Sequence, residues 1–155
     1  LPGPCMGTKS DMSRLESAIA GGFVGTTVLS TMLLFVEVQT RFAMHIFAVI
    51  ARFVGTPGNQ LLGFVVYALA GVFAWPLLFV TLGAYLPGAT KPQQGIVFAA
   101  VLWTGFVTAF YSRYAGLDLV VFFAFSIVTH LAYGWVLRVV SARLTGQYEA
   151  AELAV

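Results

Sequence analysis

The chain has 155 residues, of which 59% are hydrophobic and only 9% charged, with a mean hydropathy of +0.91. Soluble domains carry about 25% charged residues, so this composition excludes a water-soluble globule, which it has too little polar surface to coat. A net charge of +2 with no basic cluster excludes nucleic acid as a partner, and the lone Cys5 excludes an internal disulfide or a Cys-x-x-Cys centre.

The eight basic and six acidic residues leave four long uncharged intervals: 17–36, 53–90, 92–112 and 119–137. A hydrocarbon core of about 30 Å needs about 20 apolar helical residues. Each interval therefore supplies one span, and the fold class expected is all-α, a bundle of four transmembrane helices plus an interfacial amphipathic helix. The whole chain is one membrane domain, with polar tails over 1–14 and 145–155.

Ser13 with Glu16 three residues on, just ahead of an apolar run, predicts a capping box and a helix start near Arg14. The first span covers about 15–36, too long a run for the core of a signal peptide, and is read as retained. Gly21, Gly22, Gly25 and Thr26 put small residues along it. In lipid such residues let helix backbones approach closely, which predicts packing against the other spans; a homodimer contact is the alternative.

Between 37 and 54 no Gly or Pro interrupts the chain, which predicts an interfacial helix over about 38–54. At 100° per residue, Glu37, Arg41, His45 and Arg52 fall within about 80° of arc, a thin charged edge on an otherwise apolar helix. Gly55-Thr56-Pro57-Gly58-Asn59 then breaks the chain before a second span over about 61–83, which Pro76 should kink. Leu86 to Pro92 forms a turn, and a third span runs over about 94–112 with Thr104, Thr108 and Tyr111 on one face. The short link through Arg113, Gly116 and Asp118 makes spans three and four an antiparallel hairpin. The fourth span covers about 119–140, closed by Arg138 and Arg143.

Ser126, Thr129, His130 and Tyr133 share one face of the fourth span, within about 100° of arc. An ionisable residue near the middle of a span faces the bundle interior and marks a functional candidate. Thr104, Thr108 and Tyr111 are its expected partners in a polar seam between helices. The same face also fits a proton path, a metal ligand, or a hydrogen-bonding contact to a quinone or lipid. An interfacial His45 would lie about 15 Å from the bilayer midplane, too far to share a metal with His130, so no metal and no haem is expected, and a bound lipid or quinone is the remaining cofactor. There is no nucleotide loop and no nucleophile paired with a base, so no catalytic residue is assigned.

The small-residue first helix, Leu86-Pro87-Gly88 before a new span, and Phe125-Ser126 followed by His130-Leu131-Ala132-Tyr133-Gly134 resemble an uncharacterised family of small four-span membrane proteins of haloarchaea and bacteria. The resemblance covers about 18–140 and implies the four-span architecture without a mechanism. The expected function is that of a non-catalytic accessory subunit of a larger membrane complex, a respiratory oxidoreductase, with the lipid bilayer and other membrane subunits as partners. The alternative is a stand-alone small channel or carrier using the His130 face. The expected location is the cell membrane. Five cations on the side of the termini against three on the other favour cytoplasmic termini.

Overall fold

A computed structural model describes residues 13–40 and 45–146. Among them every regular element is helical: α1 (Arg14–Thr40), α2 (Ile46–Phe53), α3 (Gln60–Leu69), a π-helical turn (Ala70–Ala74), α4 (Trp75–Leu82), α5 (Lys91–Phe110), a 3₁₀ turn (Tyr111–Arg113) and α6 (Leu117–Leu144). Four stretches, Arg14–Gln39, Gln60–Leu82, Lys91–Arg113 and Gly116–Leu144, are long and apolar enough to cross a membrane. Large apolar side chains point outward along them, including Leu34 at 65% exposed and Leu117 at 76%, a surface suited to lipid.

The helix starts follow local chemistry. Glu16 N–H donates to Ser13 Oγ at 3.2 Å, and Ser13 N–H donates to Glu16 Oε2 at 3.0 Å, the capping box expected at Arg14. Asn59 caps α3 by accepting from Leu62 N–H at 3.0 Å. A second capping box, Thr90 with Gln93, starts α5 at Lys91, three residues earlier than the sequence suggests.

Packing is organised by glycine. In lipid, apolar burial gives little drive to helix association, so close contact and hydrogen bonds must supply it. Gly21 of α1 lies against the Leu137 backbone, Gly22 against Pro76 and the Gly71 carbonyl, and Gly25 against the Tyr133 ring. The small-residue face thus packs inside the bundle, on α6 and the π turn. Gly95 of α5 and Gly134 of α6 each abut the other's carbonyl oxygen, a backbone-to-backbone crossing that admits no side chain.

Three expectations need correction. The helix expected over 38–54 is not continuous: α1 runs to Thr40 and α2 begins only at Ile46, after His45 with a left-handed φ of 50°. Asymmetric sterics make that backbone a break in any right-handed helix. The single edge of Glu37, His45 and Arg52 therefore does not exist, since Glu37 belongs to α1 and Arg52 to α2; Arg41 lies outside the described residues. Instead α2 folds back on α3, where Gly63 lets the Phe47 carbonyl approach. Finally, α6 is longer than the expected 119–140, and Arg138 does not close it. Arg138 is buried, donates from Nε and Nη2 to Gln94 Oε1 at 3.3 and 3.1 Å, and stacks its guanidinium over Phe79.

Candidate functional site

The π turn follows from Pro76. Proline has no N–H and its ring crowds the carbonyl four residues back. The helix responds by widening: Trp75 N–H donates to Ala70 O rather than to Gly71 O. In the wider register Gly71 O would bond to residue 76, which has no N–H to give. The Gly71 carbonyl is thus left without an intrahelical donor, and the Tyr133 hydroxyl of α6 donates to it at 2.6 Å. The kink expected at Pro76 is in fact this wider turn. Thr26 of α1 packs against Gly71 from the other side, and its buried Oγ1 has no hydrogen-bond partner among the described residues.

The expected face of α6 forms, with Ser126, Thr129 and Tyr133 buried and His130 half-buried. Its partners differ from those expected. Trp103 Nε1–H donates to Ser126 Oγ at 3.0 Å, and the His130 ring lies 4.8 Å from that of Phe106. Thr104, Thr108 and Tyr111 do share a face of the third span, but it is the outer one: all three are exposed, and the two threonines donate to carbonyls of their own helix. The reason is helical phase. Gly95 fixes the side of α5 that meets α6, and Thr104 lies about 180° around the helix from it. The seam is therefore built by Trp103 and Phe106, not by the threonines.

Above this face lies a cleft of about 530 Å³. One wall is α3 with the π turn and Trp75; the other is α5 with Leu102, Gly105, Phe106 and Ala109; α1 contributes Thr26, Leu29 and Leu33, and α6 forms the floor with Ser126, Thr129, His130 and Tyr133. Ile46, Ile50 and Phe53 of α2 cover one end. The cleft persists because α3 packs on α2 while α5 packs on α6, leaving the two walls apart, and because α5 presents Gly105 there. A Cβ at Gly105 would meet nothing within 4 Å. The size falls within the roughly 300–1,000 Å³ typical of small-molecule sites, and the lining is almost wholly apolar.

On the floor the hydroxyl protons are committed. Ser126 Oγ donates to Phe123 O at 3.2 Å, Thr129 Oγ1 donates to Phe125 O and Ser126 O at 3.0 Å, and Tyr133 donates to Gly71. His130 Nδ1 is 2.7 Å from Ser126 O, and a carbonyl only accepts, so Nδ1 carries the proton. Sequence reasoning missed the roles of Gly71, Trp103 and Gly105. The first was accessible from it, because a proline always frees the carbonyls one turn before it. Among the described residues no three His, Cys, Asp or Glu side chains gather to hold a metal.

Fold and site together define a multi-pass α-helical membrane protein with an intramembrane cleft between its second and third spans. The chain belongs to the family of unknown function DUF6789, whose match covers residues 12–152. No curated protein and no solved structure matches it.

Proposed function

We propose that this protein is a non-catalytic accessory subunit of a larger membrane complex, of the respiratory oxidoreductase type, and that it holds a lipid-soluble molecule of the lipid or quinone class in its intramembrane cleft. The cleft between α3 and α5 carries the reading: it is large, apolar and floored by a few placed polar groups, the general pattern of a ligand site. The surrounding lipid gives such molecules direct access. The apolar walls also speak against the alternative of a small channel or carrier, which needs a hydrated path past His130. On this reading the protein sits in the cell membrane, and the excess of Lys and Arg on the side of the termini favours cytoplasmic termini.

The experiment is gentle solubilisation of the full chain from its native membrane, followed by native mass spectrometry and lipid extraction, with Gly105→Leu alongside. The wild-type chain is expected to leave the membrane with partner subunits and with a bound lipid-soluble molecule, which the leucine displaces. Isolation as a bare monomer sinks the accessory role. Equal retention of the bound molecule by Gly105→Leu sinks the cleft as its site.

A further inference from the structure

Resting on that reading of the cleft, we propose that its preferred occupant is a hydroxyl-bearing ring on an apolar tail, of the hydroquinone type, with its ring hydroxyl donated to His130 Nε2. Three observations converge on this. The first is the tautomer: with Nδ1–H given to Ser126 O at 2.7 Å, a neutral imidazole presents Nε2 as a bare acceptor. That atom has no partner among the described residues, and His130 lines the cleft.

The second is the state of the neighbouring hydroxyls. Ser126, Thr129 and Tyr133 all spend their protons on backbone carbonyls. The floor therefore meets a ligand with acceptors, and a ligand that only accepts finds nothing to pair with there. An oxidised quinone offers two carbonyl oxygens and no proton; its reduced form offers two O–H donors. Elsewhere in the lining, Trp75 carries an indole N–H and Thr26 and Tyr67 carry hydroxyls, the Thr26 Oγ1 without a partner among the described residues. These are donors that either form can use, so the discrimination rests on His130 Nε2.

The third is shape. His130 sits beside Phe106 at 4.8 Å, and Phe110 and Phe53 continue the aromatic lining toward α2, with their ring centroids 5.4 Å apart. Aromatic walls favour a flat ring over a flexible chain. Toward Gly105 the wall is open and apolar, which leaves room for a tail.

The test uses the full chain in mild detergent, titrated calorimetrically without oxygen against three probes: a decyl-substituted benzoquinone, its hydroquinone, and 1-decanol. The hydroquinone is expected to bind about tenfold tighter than the quinone, the size of one net hydrogen bond, and tighter than decanol by a similar factor. In His130→Phe, which keeps the ring area and removes Nε2, hydroquinone affinity should fall to the quinone value while quinone affinity stays. In Gly105→Leu all three should fail to bind.

The outcomes separate the two claims. If Gly105→Leu abolishes binding but wild type does not discriminate, or if discrimination survives in His130→Phe, the cleft stands and the hydroquinone assignment falls. Decanol binding as tightly as the hydroquinone overturns the ring requirement and with it the assignment. If no probe binds, or if Gly105→Leu binds as well as wild type, the cleft reading and the assignment fall together.

Discussion

The Tyr133 hydroxyl donates to the Gly71 carbonyl at 2.6 Å, joining the middle of α6 to the π turn of the second span. The bond exists because Pro76 removes the donor that Gly71 would otherwise use. It fixes the wall of the cleft to its floor. A carbonyl left bare in hydrocarbon has no water to turn to.

Tyr133→Phe should therefore destabilise the bundle by about 1–2 kcal/mol, above the average for an interhelical hydrogen bond in a membrane. In a Pro76→Ala background the segment regains an N–H and the Trp75 N–H is free to return to Gly71 O. The cost of Tyr133→Phe should then shrink. A double-mutant cycle of unfolding in mixed micelles measures this, and equal costs in both backgrounds would show that the two residues are uncoupled.

The glycines of α5 should respond in opposite ways. At Gly95 an added methyl collides with the Gly134 carbonyl, so Gly95→Ala must push α5 from α6, at about 1–3 kcal/mol for overpacking. At Gly105 the methyl meets nothing, and Gly105→Ala should be neutral or stabilise by up to about 1 kcal/mol through helix propensity. Melting temperatures of the two variants in the same detergent compare them directly.

Ser126→Ala leaves the Trp103 indole N–H without its acceptor at 3.0 Å. The expected loss is about 1 kcal/mol, together with a shift in Trp103 emission. The shift is read in a Trp75→Phe, Trp135→Phe background, where Trp103 is the remaining tryptophan. Unchanged emission would mean that the indole is not bonded to Ser126.

Tyr114 lies in the link between the third and fourth spans, stacked on Phe122 at 4.3 Å. Burial raises its phenol above the ordinary value. A raised folded pKa means the contribution to stability is complete below the unfolded value of about 10 and is lost as pH rises through the higher folded value. The absorbance difference between wild type and Tyr114→Phe during alkaline titration should show a midpoint above about 10. Stability should fall on the alkaline side more steeply in wild type than in the variant.

Much of the fold was legible from residue order alone. The four uncharged intervals set the four spans, because the bilayer thickness fixes the length of helix that crosses it. Ser13 with Glu16, the Gly55–Asn59 breaker and the short link at Gly116 set ends and connections, because caps and turns are local chemistry. Gly21, Gly22 and Gly25 announced a packing face for the same reason. The phase of one helix against another is not local. It depends on which surfaces approach most closely, and the Gly95–Gly134 crossing turned Thr104, Thr108 and Tyr111 outward and brought Trp103 and Phe106 to the polar face of α6. The left-handed backbone at His45 likewise broke a helix that no Gly or Pro in the sequence marked. The sequence by itself thus determined the spans and the polar stripe carrying His130. Only the tertiary structure decided what the stripe faces: the carbonyl freed by Pro76 and the cleft, both created by contacts between residues far apart in the chain.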